Sequence, residues 1–321
     1  MMKLIDYHNS NDYIQALRSS CISNFHIKDC FNDVPEYLYK FKSFGKWNKS
    51  QWQEDLYWKD SVRGELYFSN PAKFNKNDPN DCKFYCNELT VMKYLDNKLN
   101  GAITQGTQGL SNLIEQFISQ YVKNLQYTSR VCCFTEKDEN NKFMWNNCDF
   151  TSNGYGFCIK YRFNSNDDIF LQGTINCFPV AYTNENMDFT NEVCLFMDLV
   201  QKYGKHFPAD DPNVREFAFK ANAHTLIKNE QYQEEREWRI VVPSNRYEQY
   251  LTIKDENSDH CKRNFLPAID AIYINSKCRE IPDWNGHYLD FIKVFIKDTC
   301  SSQNIDLFYY DDTINSSYKI Q

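Results

Sequence analysis

The stretch "YQEEREWRIVV", residues 232 to 242, alternates charged and apolar side chains. Successive side chains of a β-strand point to opposite faces, so Glu235, Glu237 and Arg239 share one face of the predicted strand. Trp238 and Ile240 then share the other face, which is apolar. The apolar face is expected in a sheet core, whereas the charged face either meets solvent as a ladder of charges or lines a polar pocket.

The composition is that of a folded globular protein. Hydrophobic residues make up 42% of the 321 residues and aromatic residues 16%, while there are only 10 glycines and 9 prolines. This is ample for a buried core and leaves few flexible segments. The net charge of -7 opposes non-specific binding to nucleic acid, which requires a basic surface.

The chain carries no apolar leader behind its first residues and no run of about 18 apolar residues, which predicts a cytoplasmic protein with no membrane partner. The 13 cysteines are odd in number and lack disulfide or zinc spacing, so free thiols are expected. The six histidines form no H-E-x-x-H motif, and no metal is expected.

Hydrophobic patterning predicts strands at 36–44, 64–70, 129–136, 154–163, 268–275 and 305–311, with an edge strand at "INCFPVAY" (175–182). Helices are predicted near 13–21, 47–60, 110–122, 187–203, 212–229 and 287–297. Asp211 is the expected N-cap of the helix that starts at Pro212.

Strands and helices follow one another without strict β-α alternation, which predicts an α+β fold with a mixed, mainly antiparallel sheet core flanked by helices. Residues 1–35 are polar and turn-rich and are interpreted as an N-terminal extension. No linker or repeat interrupts the rest, so 36–321 is predicted to be one domain. No G-x-G-x-x-G, G-x-x-x-x-G-K-[ST] or G-x-S-x-G motif occurs, which leaves Rossmann, P-loop and α/β-hydrolase functions without support.

Two loops are candidate sites. The first, "FSNPAKFNKNDPND" (68–81), is either a turn whose side chains cap backbone amides or a ligand loop held by a strand. Its candidate ligand-binding residues are Ser69, Asn70, Asn75, Asp78 and Asp81. The second, "FMWNNCDFTSNGYGF" (143–157), contains Trp145, which is either a core residue or a stacking surface. Its glycines, Gly154 and Gly156, permit a close backbone approach.

If the charged face of 232–242 lines a pocket, the Glu-x-Glu pair suits reactions with an oxocarbenium-like transition state. One carboxylate would hold a ribose hydroxyl and the developing positive charge, while its neighbour orients the attacking group.

The chain resembles the bacterial and phage-associated domain-of-unknown-function family 2971 across about 36–275. The resemblance rests on the order of "LYKFKS" (38–43), "ELYFSNPAKFN" with "NDPND" (65–81), "RVCCFTE" (130–136), "MWNN" with "SNGYGFCIKY" (144–161), "VAY" (180–182), "IKNEQYQEEREWRIV" (227–241) and "IYIN" (272–275). The sequence departs from the family pattern at Lys42, at Lys76 and Asn77, and at Asn147 with Cys148. If these positions bind ligand, the activity is altered or lost.

By analogy of fold, the chain is similar to ADP-ribosyltransferases, which implies NAD as substrate. That similarity implies Tyr39 and Lys42 on the first strand of the cleft, Phe68 and Ser69 on the second, and Glu237 on a late strand. Glu235 would assist Glu237, and Arg239 would bind a phosphate or hold the glutamates. Conversion of Glu237 to Gln is then expected to abolish NAD turnover with little loss of folding stability.

Three functions remain open. The first is a nucleotide-using transferase, in a phage-defence or toxin setting, with a protein or nucleic acid as acceptor. The second is a non-enzymatic module that binds a ligand or a protein in the same cleft. The third is a Mg²⁺-dependent nuclease in which Asp78, Asp81, Glu235 and Glu237 gather around the metal.

Overall fold

The computed structural model describes most of the chain. The described residues are 8, 10–18, 35–55, 58–62, 66–76, 81–106, 108–125, 129–163, 176–204, 206–208, 210–243, 252–253, 261–263, 268–286, 288, 305–311 and 313–320.

The described strands, in chain order, are β1 (Tyr37–Ser43), β2 (Gly45–Asn48), β3 (Gln51–Glu54), β4 (Leu66–Phe68), β5 (Phe84–Tyr85), β6 (Ser129–Thr135), β7 (Gly156–Arg162), β8 (Asn176–Pro179), β9 (Ala181–Tyr182), β10 (Met187–Asp188), β11 (Ile227–Lys228), β12 (Glu237–Pro243), β13 (Thr252–Ile253), β14 (Cys261–Arg263), β15 (Ala268–Asn275), β16 (Asp306–Asp311) and β17 (Ser316–Lys319).

The described α-helices are α1 (Asn11–Arg18), α2 (Trp58–Val62), α3 (Glu88–Lys98), α4 (Gln108–Leu125), α5 (Lys142–Asn146), α6 (Cys148–Thr151), α7 (Thr190–Tyr203) and α8 (Pro212–Ala223). Short 3-10 helices cover Pro71–Lys76, His224–Leu226, Glu230–Glu235 and Ser276–Glu280.

The core is an eight-stranded sheet in the order β17-β16-β15-β7-β1-β6-β12-β8. Its neighbouring strands are antiparallel except β15 and β16, which are parallel. With helices around this mainly antiparallel mixed sheet, the predicted α+β class is confirmed. None of the described helices combines the length and the apolar character needed to cross a membrane.

The two faces of the central strands carry different side chains. One, the Glu237 face, bears Glu237, Thr135 and Tyr39, which are cross-strand partners on β12, β6 and β1. The other, the Lys42 face, carries the main hydrophobic core, including Phe134 and Trp238. Lys42 and Lys40 belong to this second face because they alternate with Tyr39 along β1.

The predicted strands at 36–44, 64–70, 129–136, 154–163, 268–275 and 305–311 are confirmed within a few residues at each end. The segment "INCFPVAY" contains β8, which lies at the edge of the described sheet as its proline indicates. Asp211 caps α8, its carboxylate accepting hydrogen bonds from the backbone N–H groups of Asn213 and Val214. The helix predicted at 110–122 is α4, whereas the one predicted near 287–297 lies almost wholly outside the described residues.

The helix predicted over 47–60 is wrong for most of its length. Residues 45–54 form the β2-β3 hairpin, in which Trp47 and Trp52 are cross-strand partners with ring centroids 5.6 Å apart. Lys49 and Ser50 form its turn with φ values of 47° and 68°. Two-residue hairpin turns of this hand normally contain glycine or asparagine at these positions, so lysine and serine there carry no turn signal.

Two other helices are shorter than predicted. In the segment 187–203, Met187 and Asp188 pair with β5 as a short strand before α7 begins at Thr190. In the segment 212–229, α8 ends at Ala223, and Ile227 and Lys228 pair with β9. In both segments, these residues pair with a neighbouring strand although the spacing of their apolar residues is that of a helix.

The strand predicted over 232–242 begins five residues later. Asn229 accepts a hydrogen bond from the backbone N–H of Gln231 and starts a 3-10 helix that runs to Glu235. Arg236 then adopts a left-handed conformation, with φ 48° and ψ 52°. Glu235 and Glu237 therefore reach the same site from a helical turn and a strand, respectively.

Candidate functional site

Five charged side chains are buried together where β12 meets the 3-10 helix before it. Asp81, Lys228, Glu235, Glu237 and Arg239 are each no more than 8% exposed. The charged face of the 232–242 stretch is therefore not a solvated ladder. It forms an enclosed ionic cluster, which we call the buried charge cluster.

Arg239 is the centre of this cluster and has all of its donor nitrogens engaged. Its Nε and Nη2 donate to the two carboxylate oxygens of Glu237 at 2.8 and 3.0 Å. Nη2 also donates to Asp81 at 3.0 Å, and Nη1 donates to the Thr225 carbonyl at 2.6 Å and contacts Cys82 Sγ at 3.1 Å. A guanidinium can satisfy two carboxylates in this way because its planar fork presents five N–H groups.

Lys228 joins the two glutamates. Its Nζ donates to Glu235 Oε2 at 2.6 Å and to Glu237 Oε2 at 3.2 Å, and lies 4.0 Å from Asp81 Oδ2. The parallel pairing of β11 with β9 places Lys228 opposite Tyr182, whose hydroxyl accepts the backbone N–H of Glu237 at 2.9 Å. One ammonium thus lies between three carboxylates.

The two glutamates of the cluster have pKa values that are shifted in opposite directions. Burial raises the pKa of Glu235 to about 7, with the nearby Glu237 charge adding to it and Lys228 opposing it. Burial also acts to raise the pKa of Glu237, but the charges of Arg239 and Lys228 outweigh it and hold that pKa well below its usual value. Because Asp81, Glu235 and Glu237 face only two cations, protonation of Glu235 makes the cluster neutral.

A row of three side chains crosses the centre of the sheet on the Glu237 face. Tyr39 on β1 is the register partner of Thr135 on β6, and Thr135 is the register partner of Glu237 on β12. Register partners point to the same side of a sheet, so Tyr39 and Glu237 are about 10 Å apart, two strand spacings, with Thr135 between them. Thr135 Oγ1 donates to the carbonyl oxygen of Glu235 at 2.6 Å and so fixes the turn that precedes β12.

Lys42 and Tyr39 do not flank one cleft as the sequence interpretation requires. They are three residues apart on β1 and therefore lie on opposite faces of the sheet. Tyr39 packs in a cluster with Phe41 and Trp145, whereas Lys42 is the register partner of Phe157 in the main core. Of these two predicted residues, only Tyr39 shares a face with Glu237.

The other residues predicted on the 68–81 loop are separated. Phe68 is fully buried in the main core, and Ser69 forms a backbone bridge with Val131. Asn70 is buried, and its side chain accepts the backbone N–H of Ala72 at 2.9 Å, which is the capping role that asparagine has in turns. Among the predicted residues of this loop whose side chains the structure describes, only Asp81 reaches the buried charge cluster.

The side chains of Asn75 and Asp78 lie outside the described residues, although the backbone of Asn75 is part of the 3-10 helix Pro71–Lys76. Trp145 is fully buried, stacks on Tyr310 with ring centroids 4.9 Å apart, and donates from Nε1 to the Glu139 carbonyl at 2.7 Å. Trp145 is thus a core residue in this structure.

The two glycines of the 143–157 loop are needed for the backbone path. Gly154 has a φ of 97°, and a Cβ on Gly156 would lie 2.2 Å from the carbonyl oxygen of Lys42. The close backbone approach expected in this loop therefore occurs at Gly156, where the neighbour is strand β1.

Sequence reasoning missed three members of the site, namely Lys228, Thr135 and Cys82. Lys228 follows two apolar residues, Leu226 and Ile227, and a lone lysine after this pair was the available signal. Thr135 and Cys82 carry no local signal because tertiary pairing alone brings them to Glu237 and Arg239.

The carboxylates of the cluster converge on protein cations. Within the described ranges, no group of three or more His, Cys, Asp or Glu side chains has the arrangement of a metal site. The ammonium of Lys228 lies where the carboxylates come closest together.

Residues 144–240 match the protein family of unknown function DUF2971. This match confirms the predicted family resemblance over a segment that covers less than half of the chain and includes Trp145, Lys228 and the "EEREWRI" motif. Comparison with curated proteins and with solved structures finds no match.

Proposed function

We propose that the protein transfers the ADP-ribosyl group of NAD, with Glu237 as the residue that stabilises the transition state. The observation that carries this proposal is the row Tyr39, Thr135 and Glu237 across three adjacent strands at the centre of the sheet. It supplies an aromatic hydroxyl, an aliphatic hydroxyl and a carboxylate on one face.

The proposed reaction separates nicotinamide from its ribose. The bond between the ribose C1 and the nicotinamide nitrogen breaks, and its electron pair stays with the nitrogen. The ribose then carries an oxocarbenium charge, which the ionised carboxylate of Glu237 stabilises electrostatically. An acceptor nucleophile forms the new bond to C1 and loses its proton.

The different pKa values of the two glutamates support this division of roles. Glu237 stays ionised because Arg239 and Lys228 stabilise its charge, as the transition state requires. Glu235, with a pKa raised to about 7 chiefly by burial, exchanges its proton near neutral pH and is suited to accept the proton of the nucleophile.

For substrate to reach Glu237, one of the existing partners of this carboxylate has to leave. The contact from Lys228 Nζ is the longest of its charged hydrogen bonds at 3.2 Å, and Lys228 retains Glu235 as a partner at 2.6 Å. In the proposed complex, a ribose hydroxyl replaces Lys228 as a donor to Glu237.

A second candidate function is ligand binding without turnover. The observation that favours it is that Glu237 already bonds to both Arg239 and Lys228 and is 5% exposed. A carboxylate bonded to two cations in this way has a structural role. The titration with NAD described next distinguishes ligand binding from transferase activity.

The test is calorimetric titration with NAD followed by measurement of nicotinamide release. The variants are Glu237→Gln and, as a matched control, Glu234→Gln, which changes an exposed glutamate of the neighbouring 3-10 helix. Release by the wild type and by Glu234→Gln, and its loss in a folded Glu237→Gln, supports transferase activity. Binding without release supports the binding module, and absence of both overturns NAD as the ligand.

A further inference from the structure

Two lysines of the central strand β1 are placed on the apolar face of the sheet, away from the buried charge cluster. Lys40 and Lys42 are the register partners of Ile159 and Phe157, which are fully buried. Both lysines are partly buried themselves. Lysine is seldom placed in such surroundings because its ammonium is costly to remove from water without a counter-charge.

The ammonium of Lys40 is anchored without being neutralised. Its Nζ donates to the Cys133 carbonyl at 2.5 Å, contacts Cys132 Sγ at 3.6 Å and lies 5.1 Å from the centroid of the Phe134 ring. An ammonium has three N–H donors, so donors remain for a ligand after the bond to Cys133.

Lys42 has weaker support from the protein. In the described part of the chain, neither Lys42 nor Lys40 forms an ion pair with a carboxylate. Asp55 acts on Lys42 only as a more distant charge. Burial and the neighbouring Lys40 lower the pKa of Lys42 to about 8, against the charges of Cys132, Asp55 and Cys133.

We propose that Lys40 and Lys42 form a binding site for a phosphate group, either free or carried by a nucleotide. Residues two apart on a strand are about 7 Å apart and point to the same side, so their ammoniums can bind different oxygens of one phosphate. The anion neutralises both cations, and the hydrophobic surroundings strengthen the interaction by excluding water.

The two lysines have unequal roles. Lys40 is already fixed by Cys133 and Phe134, and it positions the anion. Lys42 supplies the second charge and gains more from the anion because it has less support from the protein.

This site is independent of the proposed transferase function, because it lies on the Lys42 face, whereas Glu237 lies on the opposite face of the same sheet. The Glu237→Gln variant is therefore expected to keep phosphate binding if it folds. Loss of nicotinamide release together with retained phosphate binding separates the two sites.

The test is calorimetric titration of the full chain with inorganic phosphate, pyrophosphate and adenosine 5′-monophosphate. The variants are Lys40→Met and Lys42→Met, which retain most of the side-chain volume, with Lys46→Met at an exposed position of β2 as the control. Each of the first two is expected to weaken binding about ten- to hundredfold, as loss of one charge-assisted hydrogen bond does, while Lys46→Met binds like the wild type.

Equal affinity for phosphate and for adenosine 5′-monophosphate identifies free phosphate as the ligand, whereas tighter binding of the latter identifies a nucleotide. Binding is also expected to weaken as pH rises through about 8, where Lys42 loses its charge. Absence of binding by the folded wild type to all three probes overturns the proposal. So does binding that Lys40→Met and Lys42→Met leave unchanged.

Discussion

The guanidinium of Arg239 is paired through two hydrogen bonds with the carboxylate of Glu237, two residues earlier on the same strand. Both side chains are buried, so the pair depends on itself and on its neighbours in the cluster rather than on water. Removal of either partner leaves a charge in the protein interior. Buried pairs respond strongly to such removal even where the intact pair adds little net stability.

Arg239→Met is expected to lower the free energy of unfolding by about 3–5 kcal/mol, because Glu237 and Asp81 lose their shared cation. Arg239→Lys should recover little of this loss, since one ammonium cannot replace a planar guanidinium that bonds two carboxylates. Urea unfolding measures both. The control, Arg162→Met, removes an exposed arginine paired with Asp270 and should cost far less, because water screens an exposed ion pair.

Glu237→Gln is expected to cost about 3 kcal/mol for the same reason, which revises the expectation from sequence that this change leaves stability almost intact. The measurement is urea unfolding of the variant beside Glu234→Gln. A loss of less than about 0.5 kcal/mol contradicts the importance of the Glu237 charge to the fold. A loss of activity in Glu237→Gln can be assigned to catalysis only if this measurement shows that the variant is folded.

Lys228→Met should reveal the coupling between the two glutamates. Without the ammonium, Glu235 and Glu237 lose a shared partner, and we expect the variant to lose about 3 kcal/mol of stability. In the double variant Lys228→Met/Glu235→Gln one of the two carboxylates is also gone, so the combined loss should fall short of the sum by about 1–3 kcal/mol. A double-mutant cycle by urea unfolding measures this difference, and strict additivity contradicts the contact.

The pH dependence of stability should report the proton of Glu235. Its pKa is raised from 4.5 to about 7 by burial, so the folded state binds this proton more tightly than the unfolded state does. The contribution of Glu235 to stability is therefore greatest below about pH 4.5 and is lost as pH rises to about 7. The ionised Glu237, whose pKa is lowered, acts in the opposite direction.

The variant Glu235→Gln isolates this effect because it cannot titrate. The wild type loses the contribution of Glu235 as pH rises, and the variant does not. From pH 5 to pH 8, the difference in free energy of unfolding should therefore shift in favour of the variant by about 2–3 kcal/mol. Thermal or urea unfolding at these two pH values gives the difference. An unchanged difference between the two proteins would show that Glu235 titrates in the folded state as it does in the unfolded state.

Sequence patterning was sufficient for the sheet and insufficient for the cluster. Strands such as Ser129–Thr135 and Ala268–Asn275 could be predicted because each contains closely spaced apolar residues. This local sequence pattern is enough to indicate a buried strand. The turn at Lys49 and Ser50 and the left-handed Arg236 were missed, because these residue types carry no signal for positive φ. Both of these backbone conformations determine which residues become neighbours in the folded chain.

The site was predicted in part for a similar reason. Glu235, Glu237 and Arg239 are close in sequence, so their association could be read from one stretch. Asp81 and Lys228 reach Arg239 and the glutamates only through the folded chain. Likewise, the register that puts Thr135 between Tyr39 and Glu237 is set by long-range pairing, which no local pattern specifies.

Lys42→Met is expected to stabilise the protein by about 1 kcal/mol, since a partly buried cation is replaced by an apolar side chain of similar length. The pKa of Lys42 is lowered from 10.5 to about 8, chiefly by burial, so its charge is unfavourable in the folded state below that pH. The gain should be greatest below pH 8 and shrink as pH rises toward 10.5. Saturating phosphate should reduce or reverse the gain, because the wild type alone retains the full site.

Tyr39→Phe and Thr135→Val test the row of side chains that carries the transferase proposal without removing a buried charge. If the Tyr39 hydroxyl contacts the substrate, Tyr39→Phe should lower the rate of nicotinamide release by about tenfold or more, the effect of one hydrogen bond that strengthens in the transition state. Thr135→Val should also lower kcat, because Thr135 fixes the turn through the Glu235 carbonyl and so positions Glu237. Thr135→Ser keeps the hydroxyl that bonds the Glu235 carbonyl, so it should restore release, whereas a rate that stays low in a folded Thr135→Ser marks a purely structural role. Urea unfolding of each variant separates lost activity from lost fold, and wild-type release by folded Tyr39→Phe and Thr135→Val would contradict the use of this face for catalysis.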